Sequence, residues 1–359
     1  MGLLRLALAF AVVLTHLPIA TFKFIGGGTA VQSFFVISGF YMALVLSGKY
    51  AKASTFYSNR LLRLFPGYFV VMAIAAVALF GFNASATGAP EQFTSVYSHP
   101  AAALFFVFEN AAMLGQELLF WFKSDLNGVL HFDPTNAPPT PEQPVAWQLL
   151  LVPQSWSLSM ELMFYALAPW LVRLRWQWLA ALALGSIGLR YAGLLLPADY
   201  GLWQGRLFPT ALFLFLFGVL AFRLLPFVER MPKALGWVLN AAVLALVVGE
   251  PLLGLPDEAG RWLVYGSVAL AMPFIFNAFK NFAFDRFIGD LSYPIYLCHL
   301  IVVGVVLTYN PPFAVWVAIG ATLVFATALL LIVDRPLDAW RQKRIGASSL
   351  VLKTAEAAI

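Results

Sequence analysis

Ten long apolar segments divide the chain, each about as long as the roughly 20 residues that a helix needs to cross a bilayer. They fall at 3–22, 29–47, 61–82, 156–172, 177–196, 207–225, 234–252, 262–282, 291–309 and 313–333. The longest interval between them, residues 83–155, ends in the proline-rich loop FDPTNAPPTPEQP. The pattern predicts an all-α polytopic membrane bundle of about ten transmembrane helices, with a long outer segment between the third and fourth spans.

Composition supports this prediction. Hydrophobic residues make up 61% of the chain and charged residues 11%, whereas about a quarter of the residues of soluble domains are charged. The single cysteine, Cys298, cannot form a disulfide or a cysteine-ligated metal site, and we expect no metal cofactor. The first apolar run lacks a small-residue cleavage site, so we expect it to be retained as a helix.

The basic residues lie mostly on one side of the predicted membrane. If the N-terminus lies on the cytoplasmic side, only five of the 22 lysines and arginines fall on the outer side of the membrane. These are Lys23, Lys123, Arg190, Arg206 and Arg261. Because inner loops are enriched in Lys and Arg, we expect a bacterial inner membrane protein with both termini in the cytoplasm. The net charge of +5 then reflects topology in the lipid bilayer and does not indicate a nucleic-acid partner.

One apolar segment does not fit the alternation of sides. Residues 104–122 contain two glutamates, and counting them as a span would reverse every later loop. We therefore expect an interfacial or re-entrant helix within the outer segment. Residues 1–345 are predicted to form one transmembrane domain, followed by a short cytoplasmic tail at 346–359.

The first segment carries an arginine and a histidine on one face. Arg5 and His16 are eleven positions apart, close to three helical turns and roughly 16 Å along the axis. This spacing suits a cation that holds an anion at the membrane edge and an imidazole that acts on the far end of that anion. The alternative is that Arg5 anchors the helix end and His16 bonds a neighbouring helix.

A second basic motif follows the second segment. Arg60 and Arg63 are three residues apart and share a helix face, and two guanidinium groups suit bidentate binding of phosphate. The alternative is the ordinary positive flank of a membrane helix. With Arg5 on the same side, these residues are the candidate anion-binding set.

Two later segments carry polar stripes. Ser157, Glu161 and Tyr165 line one face of the fourth, and Tyr296 and His299 lie on one face of the ninth. We expect Glu161 just inside the outer boundary, where an unpartnered carboxylate is costly. Each stripe is also compatible with hydrogen bonding between helices.

Arg190, Arg206 and Trp156 lie near the predicted outer ends and are the candidate binding residues for a polar acceptor. Aromatic residues at this depth also form ordinary membrane-interface belts.

Five motifs together resemble a known family. They are Arg5 with His16, FFVISGF at 34–40, NRLLRLFP at 59–66, WSLSMELMFY at 156–165 and LSYPIYLCHL at 291–300. In this order they resemble the acyltransferase-3 family of integral membrane O-acyltransferases, over nearly the whole chain. The resemblance implies transfer of an acyl group, commonly acetyl, from cytoplasmic acyl-CoA to a hydroxyl of an extracytoplasmic glycan such as a surface polysaccharide.

The resemblance also implies roles for residues. It makes Arg5 and His16 essential, Arg60 and Arg63 the donor-binding pair, and Glu161 and His299 the further candidate catalytic residues. Some relatives append a soluble hydrolase-like domain. We expect none here, so that either the bundle acylates the acceptor itself or a partner protein on the outer side does so.

Two versions of the chemistry stay open at this point. His16 acts either as the general base on the acceptor hydroxyl or as a transient acyl carrier. Two other functions also stay open: a multispan transporter or flippase that uses His and Glu as a proton relay, and an acyltransferase for a small lipophilic acceptor. Paired, similar halves typical of many transporters are not evident in the sequence.

Overall fold

The computed structural model describes residues 1–18, 24–48 and 53–344. The predicted tail at 346–359 lies outside the described residues. Fourteen α-helices are described. They are α1 (Gly2–Thr15), α2 (Gly27–Gly48), α3 (Ala53–Phe82), α4 (Pro90–Tyr97), α5 (Pro100–Ala112), α6 (Trp156–Leu171), α7 (Trp176–Ala192), α8 (Tyr200–Arg206), α9 (Phe208–Phe222), α10 (Leu225–Val228), α11 (Lys233–Gly249), α12 (Asp257–Phe279), α13 (Ala283–Tyr309) and α14 (Ala314–Leu329).

Strands are short and confined to the outer segment. Strand β1 (Phe122–Ser124) pairs with strand β2 (Leu130–Phe132) in an antiparallel hairpin, with Lys123 opposite His131. After α14 the chain continues through one π-helical turn, Leu330–Asp334, into a helical stretch that reaches residue 344. The all-α polytopic bundle predicted from the sequence is confirmed.

Every predicted span coincides with a helix, but two of these helices are short. Seven described helices are long and apolar enough to cross a membrane, and the pair α8 and α9, bent by 45°, makes an eighth. Helix α1 has 14 residues and α6 has 16, about 21 and 24 Å at 1.5 Å per residue, less than the roughly 30 Å of the hydrocarbon core. Helix α1 stops at Thr15 because Pro18 follows, and the residues before a proline disfavour the helical conformation. The candidate residues His16 and Glu161 lie on these two short elements.

Close backbone contact fixes the bundle around the short helices. A Cβ at Gly39 of α2 would lie 1.9 Å from the carbonyl oxygen of Phe215 in α9, and a Cβ at Gly289 of α13 would lie 2.8 Å from Cα of Gly2 in α1. Small residues at such crossings let helices approach until their backbones touch. The first crossing joins α2 to α9, and the second fixes α1 against α13.

The outer segment folds as a separate layer on the end of α3. Helix α5 has 13 residues, about 20 Å, which is too short to cross. It ends where Met113 adopts a left-handed conformation, and Gly115 follows with a positive φ. A 3₁₀ turn, Gln116–Trp121, then leads back towards the bundle. That residues 104–122 are interfacial or re-entrant stays a prediction.

Candidate active site

A cavity of about 430 Å³ opens at the end of the bundle where α3 begins, opposite the end that carries the outer segment. Its basic lining residues are Arg5, Arg60, Arg63, Lys280 and Arg286. We call it the basic cavity. Along α13 its wall extends from Arg286 to Tyr296, ten residues or about 15 Å. The cavity therefore extends from a cationic mouth into the interior of the bundle.

The position of Arg5 follows from the anchoring of α1. The backbone N–H groups of Gly2 and Leu3 donate to the carboxylate of Asp285 at 2.8 and 3.1 Å, which caps the positive end of the helix. The guanidinium of Arg5 lies over Gly289, where an added Cβ would be 3.5 Å from Nη1. Helix α13 thus sets both the depth of α1 and the place of Arg5.

Arg60 and Arg63 both line the basic cavity, as their spacing on one helix face requires. They differ in their surroundings. Nη1 of Arg63 donates to Asp338 at 3.0 Å, and its guanidinium lies 5.7 Å from the ring centroid of Tyr293. The guanidinium of Arg60 lies 6.0 Å from the ring of Phe56. Arg63 therefore also ties α3 to the last helical stretch of the chain.

Glu161 lies elsewhere than expected. Instead of approaching from the outer boundary, it lines the basic cavity, where its Oε1 accepts hydrogen bonds from Ser38 at 2.5 Å and Tyr165 at 2.6 Å. The reason is that α6 starts deep in the protein, after the buried Ser155, and continues to the basic end, where Tyr57 donates to the carbonyl of Ala166. Glu161 therefore faces the same space as the arginines.

The deep part of the cavity is bounded by a hydrogen-bonded pair. The hydroxyl of Tyr296 lies 2.6 Å from Oγ of Ser157 and donates to the carbonyl of Gln154 at 2.7 Å. Both Ser157 and Tyr296 line the cavity. Behind them, the ring centroid of His299 is 5.8 Å from that of Tyr296. The pair separates the cavity from the histidine.

The two candidate histidines lie side by side. His16, at the C-terminal end of α1, and His299, in α13, have ring centroids 5.1 Å apart. In each ring Nδ1 contacts a backbone carbonyl, Val12 at 2.9 Å and Tyr296 at 2.8 Å. A carbonyl only accepts, so Nδ1 carries the proton and Nε2 is the basic nitrogen. His299 is fully buried, with no hydrogen-bond partner for Nε2 among the described residues, whereas His16 is exposed.

Arg206 and Trp156 contact each other near the deep end of the basic cavity. The guanidinium of Arg206 lies 3.7 Å from the ring centroid of Trp156 and 4.0 Å from that of Phe120. Trp156 directly precedes Ser157, whose Oγ lies 2.6 Å from the hydroxyl of Tyr296, in front of His299. These contacts join α8, α6 and the 3₁₀ turn of the outer segment at one point.

Arg190, the third candidate for acceptor binding, is fully buried away from this point. Its Nη1 and Nη2 donate to the backbone and side-chain oxygens of Gln204 at 2.9 and 2.8 Å, and its Nε lies 3.6 Å from Glu258. These bonds hold α8 against α7. The described contacts of Arg190 are therefore those of a residue that orients α8.

Sequence reasoning did not find Ser38, Asp285 or Asp338, whereas Tyr296 was named with His299. Ser38 stands inside the FFVISGF motif, so that motif held a signal for it. Asp285 and Asp338 gave none, because each bonds a residue more than 270 positions away.

Comparisons with known proteins give one finding. None of the curated proteins or solved structures compared with the chain matches it significantly. The sequence model of the acyltransferase-3 family, described as an acyltransferase domain, matches residues 1–334 of the 359. The match includes the basic cavity, the histidine pair and Arg206, and it confirms the resemblance carried by the five motifs. The chain is an integral membrane protein that belongs to the acyltransferase-3 family.

Proposed function

We propose that this acyltransferase moves an acyl group, acetyl in the simplest case, from acyl-CoA in the basic cavity to a hydroxyl of a glycan that enters from the opposite end. The observation that carries the proposal is a cationic mouth followed by about 15 Å of wall along α13, which ends at Tyr296 directly in front of the histidine pair. An anionic donor with a long arm and a reactive end suits that shape.

The donor side rests on charge. Guanidinium groups bind phosphate with paired hydrogen bonds, and Arg5, Arg60 and Arg286 line the mouth of the cavity. The phosphates of CoA bind there, and the thioester end of the pantetheine arm points towards Tyr296. Glu161, held by Ser38 and Tyr165, lies along that path and limits the net positive charge around the donor.

The chemistry rests on the histidine pair. Because Nδ1 of His16 is bonded to the carbonyl of Val12, Nε2 is free to accept a proton. In the proposed reaction Nε2 of His16 takes the proton from the acceptor hydroxyl as its oxygen attacks the thioester carbon. The ring of His299 lies beside that of His16, with centroids 5.1 Å apart, and its Nε2 is buried.

The acceptor side rests on exposure and aromatic residues. His16 is exposed, and Trp156 and Phe120 lie beside the pair. A glycan of the cell envelope is the acceptor implied by the family resemblance. The basic end faces the cytoplasm of a bacterial inner membrane by the positive-inside rule, which places the acceptor outside.

The test is transfer in membranes. Inverted vesicles that contain the protein receive acyl-CoA labelled in the acetyl group, and free CoA and labelled glycan are measured. We expect both to appear with the protein and neither to appear in vesicles without it. Mass spectrometry of the surface polysaccharide then shows an ester-linked acetyl mass only in cells that carry the protein. Protein-dependent CoA release with no label on any glycan would exclude the glycan acceptor, and absence of CoA release would exclude acyl-CoA as donor.

A further inference from the structure

Arg206 is a cation in an environment that does not neutralise it. Among the described residues, its buried Nη1 has no hydrogen-bond partner and no carboxylate forms a salt bridge with it. Its close neighbours are the rings of Trp156 and Phe120. Cation–π contacts offset only part of the free-energy cost of burying an unpaired charge. A charged group kept within the membrane at such a cost indicates a functional role.

The surrounding residues hold the guanidinium in this position. The side chain of Asp199 caps α8 by accepting from the N–H of Leu202 at 2.7 Å, and Gln204 is bonded to Arg190. Oγ1 of Thr210 donates to the carbonyl of Trp203 at 2.8 Å. Each bond fixes the last turn before the bend between α8 and α9. The side chain is thus oriented before any substrate binds.

The stacking of Arg206 matters for its hydrogen bonding. Aromatic rings contact the faces of a guanidinium, whereas its N–H bonds point outward in its plane. With Trp156 and Phe120 against the guanidinium, the N–H groups of Nη1 remain as oriented donors. A fixed, water-excluded donor beside a reacting group is the arrangement that stabilises a developing negative charge.

We infer that Nη1 of Arg206 donates to the carbonyl oxygen of the acyl group and stabilises the oxyanion of the tetrahedral intermediate. The inference rests on the proposed function. The acceptor oxygen forms a bond to the thioester carbon, its proton passes to Nε2 of His16, and the carbonyl π electrons move to the oxygen that faces Arg206. When the intermediate collapses, the carbon–sulfur bond breaks and the CoA sulfur takes the proton from His16.

Steady-state kinetics of Arg206→Gln and Arg206→Lys test this role. Loss of one oxyanion donor lowers kcat about 10²- to 10³-fold, so we expect that fall for Arg206→Gln, with KM for acetyl-CoA and for the glycan nearly unchanged. Arg206→Lys keeps the charge but not the paired donors, so kcat should be intermediate. A raised KM for the glycan with unchanged kcat would show that Arg206 binds the acceptor, and would overturn the inference.

Two controls separate catalysis from folding. The thermal midpoint of Arg206→Gln is measured beside its kcat, and Arg173→Gln, which removes an exposed arginine, should change neither quantity. Added guanidinium ion should restore part of kcat in Arg206→Gly and should leave kcat of Arg173→Gly unchanged. Absence of rescue with a wild-type midpoint would contradict the role of Arg206. Because wild-type CoA release is measured alongside, failure of the proposed function is recognised by its absence in the wild type itself.

Discussion

The contact between α2 and α9 gives the sharpest structural prediction. A Cβ at Gly218 would lie 2.0 Å from the carbonyl oxygen of Val36, whereas ordinary contact begins at 3.4 Å. In Gly218→Ala the two helices must therefore separate locally by about 1.4 Å, and overpacking of this kind costs about 1–3 kcal/mol. Ser38, which bonds Glu161, lies two residues from Val36 on α2. We expect both stability and transfer to fall.

Cys298 makes the assay direct. It is the chain's single cysteine and is fully buried, so a thiol-reactive fluorescent dye reports unfolding as temperature rises. The matched control is Gly188→Ala on α7, where an added Cβ meets nothing within 4 Å. There alanine should stabilise the helix relative to glycine by about 0.5–1 kcal/mol. Gly188→Ala should keep or raise the temperature midpoint of unfolding, whereas Gly218→Ala should lower it. Equal midpoints for Gly218→Ala and the wild type would refute the close contact of the two helices.

Two further predictions concern charge. Burial, with a smaller contribution from the Glu117 charge, raises the pKa of Glu109 from its ordinary value of 4.5 to about 7. The unfolded chain therefore loses this proton at lower pH than the folded chain. The free energy of unfolding should then fall as pH rises from about 4.5 to 7. Glu109→Gln should flatten this pH dependence, and the exposed Glu91→Gln should leave it unchanged. Arg60→Gln should raise KM for acetyl-CoA about 10- to 100-fold through loss of charge-assisted bonds, whereas the exposed Arg173→Gln should leave it unchanged.

The helices were predictable from the sequence because lipid requires long apolar segments with satisfied backbone groups. The basic side of the membrane on which Arg60 and Arg63 lie was predicted from the distribution of lysine and arginine. That they share one helix face was predicted from helical periodicity. The first span was predicted over 3–22, but α1 ends at Thr15; Pro18 held the signal for this earlier end. These features are local, which is why they needed no tertiary information.

The pairing of side chains was not predictable. His16 and His299 belong to the first and ninth apolar segments, and only the packing of α1 against α13 brings their rings to 5.1 Å. Glu161 was expected near the outer boundary because the pattern gave the order of the helices but not their depth. Arg190 and Arg206 looked alike in sequence, yet one bonds Gln204 and the other stacks on Trp156. The catalytic and binding roles of these residues stay predictions.

The most direct test of the account compares His16→Ala with the matched control His131→Ala in the exposed outer hairpin. Acetyl-CoA binding and CoA release are measured on the same purified, lipid-embedded protein. We predict that His16→Ala binds acetyl-CoA as the wild type does but releases no CoA in the presence of acceptor, while His131→Ala does both. Full transfer by His16→Ala would contradict the claim that the basic cavity delivers a thioester to this imidazole.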